Sequence, residues 1–378
     1  MPPAGLKSCG RLIFWKIQYN SGMRKIIIAI VLLLAIALVY FSFGELENIL
    51  KTLQQSDLRF LIAAFVLALV WLFNLGVTFR SLYRLVGLQE DTRHLMLVVI
   101  VANFVNVIAP SAGIGGMAVF IDDAKRRNHS SGKVTVVGAL FVLLDYAAFI
   151  CVLALGWVVL IRRNNLHAGE ITASMILLAI ALALAFFFYL GYRSADDMGR
   201  ALAWVARLIN RVVHPFIHRE YLQEKNAYNF ADEFAEGVSA IKGRTKELLW
   251  PFLFSLNSKA ILICILALTF LSYKTPFSVG TLVGGFSIAY LFVIVSPTPA
   301  GLGIVEGAMP LALSSLRVQW EAAVLITLTY RAVTFWFPLA IGAVVFRFLQ
   351  KKPKEQVSAD DQSEELSDET TKKQTPDD

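Results

Sequence analysis

Long apolar stretches separated by short polar ones run from residue 25 to residue 350. Several of them reach or approach the roughly 20 residues that an α-helix needs to cross a bilayer. The stretches are continuous rather than alternating, whereas a membrane β-barrel would alternate apolar and polar positions. The pattern therefore predicts an all-α polytopic membrane protein. The apolar segments are 25–43, 58–83, 94–109 with 112–121, 133–161, 171–191, 248–272, 278–296 with 304–316, and 320–348.

The composition agrees with this pattern. Of the 378 residues, 57% are hydrophobic and 17% are charged, against about 25% charged in soluble domains. Mean hydropathy is +0.62, which excludes a soluble enzyme. The net charge of +7 comes from basic residues beside apolar segments, where they set topology rather than bind nucleic acid. Three cysteines without a CxxC motif give neither a disulfide framework nor a zinc site.

The basic residues orient the segments, because lysine and arginine accumulate in cytoplasmic loops. They predict six full spans with both termini cytoplasmic, in a cytoplasmic (inner) membrane. Two Pro- and Gly-interrupted segments, 94–121 and 278–316, then form re-entrant hairpins. If both hairpins crossed the membrane, the count would be eight spans, and this alternative stays open. The orienting residues are Lys7, Arg11, Lys16, Arg24, Lys25, Arg80, Arg84, Arg93, Lys125, Arg126, Arg127, Lys351, Lys352 and Lys354.

Polar segments flank and interrupt the membrane domain at 25–350. Residues 1–24 form a cytoplasmic N-terminal segment. Residues 192–247 form a cytoplasmic amphipathic insert of two helices, lying at the membrane interface or packed under the bundle. Residues 351–378 form an acidic cytoplasmic tail. This tail has too few apolar residues to order itself, and we expect it to be disordered.

The membrane domain contains a repeat, with the first copy at about 25–161 and the second at about 171–350. Each copy has three full crossings, an odd number, so the two copies insert in opposite orientations. Inverted repeats with broken segments at matching places are typical of transporters with a midplane substrate site. The matching segments are 107–111 with 294–298, Gly113 and Gly115 with Gly301 and Gly303, and 153–156 with 339–342.

Charged residues inside the apolar spans are the strongest candidates for a site. Asp145 and Arg331 align in the repeat near the middle of their spans. An unpaired charge at that depth costs roughly 2.5–3.5 kcal/mol, so we expect the two to pair, either as a structural lock or as a substrate or gating pair. Lys259 lies at similar depth. Either it belongs to the site, or its side chain snorkels toward one membrane surface. Glu306 lies in the first turn of a half-helix, where the helix dipole stabilises a carboxylate. The alternative is that it acts as a proton-coupling or gating carboxylate.

The two broken segments have a mechanical interpretation. Pro110 and Pro297 cannot donate backbone hydrogen bonds and end a helix. The half-helices that follow present free N–H groups at mid-depth, which favours an anion. A phosphate-bearing lipid headgroup fits this chemistry. The alternative is that the prolines only make the hairpin turns.

These motifs resemble the flippase-like transmembrane domain of the lysylphosphatidylglycerol synthase (multiple peptide resistance factor) superfamily, over roughly 25–350. The resemblance implies movement of lipid between leaflets, since that domain moves aminoacylated phospholipid while a separate soluble domain makes it. Many members carry an acid after the first glycines and an arginine three residues later, where Met117 and Phe120 stand here. The motifs on which the resemblance rests are residues 110–116 with 125–127, Asp145, residues 297–307, and Tyr330 with Arg331.

We therefore predict a lipid flippase that works by alternating access on a phospholipid, glycolipid or polyprenyl-phosphate type of lipid. The alternatives are a membrane-embedded lipid-modifying transferase, or a scaffold whose partner is a lipid or polysaccharide synthase. No catalytic motif is present, so we expect no enzyme activity, no cofactor, no metal and no nucleic-acid partner. The predicted substrate-binding residues are Pro110, Ser111, Gly113, Gly115, Asp145, Lys259, Pro297, Thr298, Gly301, Gly303, Glu306, Tyr330 and Arg331.

Overall fold

The computed structural model describes residues 56–108, 114–162, 168–217, 224–241, 243–296 and 298–350, which contain helices and no strand. The predicted span 25–43 and the acidic tail lie outside these residues. Short turns of 3-10 helix lie at Thr245–Leu248 and Pro299–Gly301, and a π-helical turn at Ala332–Trp336 joins the last two helices. The α-helices are α1 (Leu58–Leu85), α2 (Thr92–Ile108), α3 (Ile114–Arg126), α4 (Ser131–Arg162), α5 (Ala168–Arg193), α6 (Ala195–Ile217), α7 (Glu224–Ser239), α8 (Leu249–Ser272), α9 (Val279–Val295), α10 (Ile304–Ser315), α11 (Trp320–Arg331) and α12 (Phe337–Gln350).

Five helical stretches among the described residues are long and apolar enough to span a membrane, which confirms the all-α polytopic fold. The four arms of the two hairpins are shorter. The arms α2 and α9 have 17 residues each, α3 has 13 and α10 has 12. At about 1.5 Å per residue, even the longer arms reach only about 25 Å, less than the roughly 30 Å hydrocarbon core. The spanning stretches are Leu58–Leu85, Ser131–Arg162, Ile171–Arg193, Lys246–Ser272 and Trp320–Arg347.

Helices α1 and α8, which the sequence predicts to be equivalent in the two repeats, pack antiparallel along their length. At one end, the Asp57 N–H donates to the carbonyl of Ser272 at 2.8 Å. At the centre, the Trp71 indole N–H donates to the Ser258 hydroxyl at 2.7 Å. Trp71 and Ser258 lie 187 positions apart, the same spacing as the sequence repeat. Equivalent positions of the two repeats therefore meet at mid-span, as they do beside a twofold axis.

The first arm of each hairpin packs against the long span of the other repeat. A Cβ added to Gly156 of α4 would lie 2.3 Å from the Ser287 hydroxyl of α9. A Cβ added to Gly342 of α12 would lie 2.7 Å from the Phe104 Cβ of α2. These two glycines are the repeat-equivalent positions of the sequence motif. Each lets two helices approach closely, so the two halves exchange the same contact reciprocally.

The apolar core has two main parts, which follow one another along the long helices. Helix α1 contributes residues 61–68 to one cluster and residues 72–86 to the other. Helix α4 contributes 149–153 to the first cluster and 134–140 to the second. Asp145 lies at this changeover. The polar site described below therefore occupies the level at which the two apolar clusters meet.

The polar insert contains the two helices α6 and α7. Helix α7 buries Phe234 and Val238, and the Glu233 carbonyl lies at Gly132 of α4. Helix α6 buries Met198 but exposes Trp204 at 60%. An exposed tryptophan on an amphipathic helix is typical of a membrane interface. The insert therefore packs under the bundle through α7 and presents an apolar edge through α6.

Candidate functional site

A cavity of about 320 Å³ lies between the two hairpins and is lined by both repeats. Most of its wall is apolar or aromatic, and its polar groups converge from helices that are far apart in sequence. Pockets of this size and character are typical small-ligand sites. The lining residues are Trp71, Leu75, Asn103, Phe104, Asn106, Val107, Phe141, Asp145, Ser258, Leu262, Ala289, Tyr290, Val293, Ala300, Val305, Tyr330, Arg331, Thr334, Phe335, Pro338 and Leu339.

Asp145 forms a buried ion pair with Lys259 on one side of this cavity. The Lys259 ammonium lies 2.6 Å from Asp145 Oδ1 and 2.5 Å from the Tyr290 hydroxyl. It also lies 4.0 Å from the centre of the Tyr290 ring. The Tyr290 hydroxyl donates to the second oxygen of Asp145 at 3.1 Å. Lys259 is only 1% exposed, so it does not snorkel to a surface.

Arg331 pairs with Glu306 instead of Asp145, and the expected Asp145–Arg331 pair does not form. The Arg331 Nε–H donates to Glu306 Oε1 at 2.5 Å. The other Glu306 oxygen accepts the Gly303 N–H at 2.8 Å. The prediction that Asp145 and Arg331 lie inside the protein is confirmed, since they are 8% and 4% exposed. Their partners differ because α4 packs against α8, while α11 packs against its own hairpin arm α10.

The guanidinium of Arg331 has one edge that is buried and unsatisfied. Its Nη2 atom finds no hydrogen-bond partner among the described residues. The face of the guanidinium lies 4.4 Å from the Phe335 ring centre, a cation–π contact. Buried donors are satisfied in the great majority of native structures. An unsatisfied arginine donor beside a cavity therefore indicates a place for an acceptor from outside the chain.

Two of the hairpin N–H groups that the sequence leaves free for an anion are already bound. In the second hairpin, Glu306 accepts from Gly303, as a first-turn cap does. In the first hairpin, the Asn106 side chain accepts from the Gly116 N–H at 2.6 Å. The half-helix dipoles still favour negative charge. Among the described side chains that line the cavity, Arg331 has a buried unsatisfied donor, which makes its guanidinium a strong candidate ligand for an anion.

The predicted site residues fall into three groups in the structure. Asp145, Tyr330 and Arg331 line the cavity. Lys259 and Glu306 lie behind it, and each holds a lining residue in place. The remaining described residues belong to the hairpin regions, and Pro110, Ser111, Gly113 and Pro297 lie outside the described residues. The binding role of all these residues stays a prediction. The hairpin residues are Gly115, Thr298, Gly301 and Gly303.

The second hairpin turn needs its glycines for backbone geometry. Gly301 and Gly303 have φ of 75° and 78°, in the left-handed region that disfavours other residues. The Thr298 hydroxyl donates to the Leu302 carbonyl at 2.9 Å and ties the turn together. Ala300 of the same turn lines the cavity. The turn is thus a fixed wall of the site.

Several cavity residues were not identified from the sequence. Tyr290 completes the Asp145–Lys259 cluster, and Asn103 and Asn106 face the cavity from α2. The two asparagines lie three positions apart in the apolar second half of the arm, which places them on one helical face. That spacing was a usable signal. Tyr290 carries no such signal, because an aromatic residue in an apolar helix is ordinary.

Comparison of the sequence with known protein families gives a match over most of the chain. The sequence profile described as "Lysylphosphatidylglycerol synthase TM region" matches residues 26–342. The chain belongs to this family. The match extends over both repeats and includes every residue that lines the cavity.

Three UPF0104 membrane proteins are similar to this chain over nearly their whole length. A UPF0104 membrane protein of Methanothermobacter thermautotrophicus is 25% identical over 343 residues, which cover 89% of this chain and 98% of the relative. One from Pyrococcus horikoshii is 22% identical, with 84% and 95% covered. One from Methanocaldococcus jannaschii is 23% identical, with 89% and 97% covered. The chain is therefore similar to nearly the whole length of these proteins.

The positions at which this chain departs from the family pattern are apolar and packed. The Phe120 ring stacks on Phe79 at 4.7 Å and is 7% exposed. Met117 lies against Gly138 of α4. The first hairpin therefore presents no charge at these two positions. Around the central cavity, the charged side chains come from α4, α8, α10 and α11 instead.

Proposed function

We propose that this protein moves a phosphate-bearing lipid between the two leaflets, with the headgroup passing through the central cavity. The observation that carries the proposal is the buried Nη2 atom of Arg331, which has no partner within the described residues. Membership of the lysylphosphatidylglycerol synthase transmembrane family supports a role in lipid biology. Phospholipids, glycolipids and polyprenyl phosphates are the candidate substrates.

Each cation of the site already has a carboxylate beside it, and this charge balance determines how an anion would bind. Asp145 neutralises Lys259 and Glu306 neutralises Arg331, so an empty cavity holds no net charge from these four groups. A phosphate oxygen at Nη2 would accept a charge-assisted hydrogen bond, and a guanidinium suits phosphate geometry. It would also compete with Glu306 for the same arginine. Binding would thus loosen the contact between α11 and α10.

The size and lining of the cavity favour a headgroup rather than a whole lipid. A volume of about 320 Å³ is at the lower end of small-ligand pockets, roughly 300–1,000 Å³. Apolar lining residues such as Phe104, Leu262 and Val293 suit the first part of an acyl or isoprenyl chain. The rest of the chain would remain in the bilayer while the headgroup crosses.

The reciprocal packing of the two repeats supports alternating access. Inverted repeats that pack around a midplane site can rock so that each leaflet is reached in turn. The close contacts at Gly156 and Gly342 are equivalent in the two halves. Loosening one and tightening the other would exchange the inward- and outward-open forms.

The test is lipid movement in vesicles containing the purified protein. Fluorescent phospholipid, glycolipid and polyprenyl phosphate are each followed by chemical quenching of the outer leaflet. Arg331→Lys keeps the charge but removes the planar fork, and we expect at least a tenfold slower rate, about 1.4 kcal/mol. Arg347→Lys, at an exposed arginine near the end of α12, is the matched control and should behave like wild type.

Two results would contradict the proposal. If the wild-type protein moves none of the three lipids, the alternatives of a lipid-modifying transferase or a scaffold gain support. If Arg331→Lys moves lipid as fast as wild type, the guanidinium is not the headgroup ligand. A wild-type unfolding temperature for the Arg331→Lys variant separates loss of transport from loss of folding.

A further inference from the structure

A second cavity lies at the C-terminal end of α1. It has a volume of about 860 Å³ and contains four arginines from three separate parts of the chain. Arg80 and Arg84 come from the last two turns of α1. Arg127 follows α3, and Arg244 precedes α8. The rule that basic residues lie on the cytoplasmic side requires only their charge and not their clustering. The fold nevertheless brings these four arginines around one concave space.

Two of these arginines are structural. Arg127 donates to Glu90 at 2.9 Å, and Arg244 binds Glu247 through two contacts of 2.8 Å. Arg244 also reaches the carbonyls of Arg84 and Leu85 at 3.3 Å. It thereby caps the end of α1 and closes one wall of the cavity.

The other two arginines have no ion pair among the described residues. Arg80 Nη1 donates to the Thr92 hydroxyl at 3.1 Å, which holds the side chain in place. Its Nε atom is buried and has no partner in the described part of the chain. Arg84 is exposed one turn further along the same face of α1. Two acidic residues, Glu90 and Asp91, line the cavity too. Glu90 is already bound by Arg127 and His129, and Asp91 is exposed, so the four arginines outnumber the acids.

Exposed side chains place this cavity at the depth of lipid headgroups. The large apolar residues that α1 exposes begin at Leu58 and end at Phe73. Arg80 follows seven positions later, about 10 Å along the helix axis. Trp250, six positions after Arg244, is 63% exposed, and tryptophan is enriched at the membrane–water interface. Basic pockets between membrane helices at this level suit anionic headgroups.

We propose that this cavity binds the phosphate of an anionic phospholipid headgroup from the adjacent leaflet, with Arg80 and Arg84 as its ligands. The site is separate from the central cavity and does not depend on transport. A bound lipid would bridge the end of α1 to the segments that carry Arg127 and Arg244.

The test measures lipid binding to the purified full chain in detergent, by native mass spectrometry. Phosphatidylglycerol, phosphatidylcholine and inorganic phosphate are titrated separately. We expect phosphatidylglycerol to bind more tightly than phosphatidylcholine, and its affinity to fall at least tenfold in the double variant Arg80→Gln with Arg84→Gln. The matched control is Arg59→Gln with Arg93→Gln, which removes two exposed arginines that do not line the cavity and should keep the wild-type affinity.

Three results would overturn the proposal. The first is equal phosphatidylglycerol affinity in wild type and the double variant. The second is an equal loss in the control, which would mean a diffuse charge effect. The third is binding of inorganic phosphate without phosphatidylglycerol, which would assign the cavity to a soluble anion. If the double variant does not fold, Arg84→Gln alone gives the same comparison, because Arg84 is exposed and its side chain forms no ion pair within the described residues.

Discussion

The buried Asp145–Lys259 pair allows a sharp test of how this fold tolerates charge in the membrane. The side chains are 12% and 1% exposed, and their charged atoms lie 2.6 Å apart. At an effective dielectric constant of about 20, the attraction is roughly 6 kcal/mol. Much of it is offset by desolvation of both groups. Removing one partner leaves the other uncompensated, which typically costs about 3–5 kcal/mol.

The structure predicts that both single variants are destabilised. In Lys259→Met, Asp145 keeps the Tyr290 hydroxyl as a donor at 3.1 Å but loses its cation. In Asp145→Asn, Lys259 keeps neutral acceptors and the Tyr290 ring but loses its carboxylate. We therefore expect each single variant to lose about 3–5 kcal/mol of unfolding free energy.

The double variant Asp145→Asn with Lys259→Met should recover to within about 2 kcal/mol of wild type, because no buried charge remains. The assay is reversible unfolding in mixed micelles with increasing sodium dodecyl sulfate. Lys246→Met, at an exposed lysine near the start of the same span, is the control and should change stability by less than about 0.5 kcal/mol. Losses that simply add in the double variant would refute the reasoning, since independent sites add and paired ones do not.

Three further predictions follow from the packing. Gly156→Ala should lose about 1–3 kcal/mol in the same unfolding assay, because its Cβ would lie 2.3 Å from the Ser287 hydroxyl; Ser287→Gly should restore most of it, and no rescue would contradict the contact. Gly301→Val should slow lipid movement in vesicles while membrane insertion stays normal, because φ is 75° there and the added Cβ would lie 2.5 Å from Val305; a wild-type rate would contradict this. Truncation after Lys354 should leave insertion and lipid movement intact, because the removed residues contain no apolar anchor; loss of either would give the acidic tail a docking role.

Some features of the site follow from the sequence because they depend on local chemistry. Proline and glycine at matching places break two apolar segments, and that alone predicts short helix arms such as α2 and α9. A charged residue in the middle of an apolar span must avoid lipid. The interior positions of Asp145 and Arg331 therefore needed no tertiary information.

The partners of those charges were decided only by the tertiary structure. Asp145, Lys259 and Arg331 lie at similar depth, so hydropathy cannot tell which cation faces Asp145. Helix packing makes the choice: α4 lies against α8, and α11 lies against α10. The same packing leaves Arg331 Nη2 unsatisfied and gathers Arg80, Arg84, Arg127 and Arg244 around one cavity. The interior positions of Asp145 and Arg331 follow from the sequence, because hydropathy belongs to each segment by itself. The burial of Lys259 and the pairing of the charges depend on distances between segments, which only the fold sets.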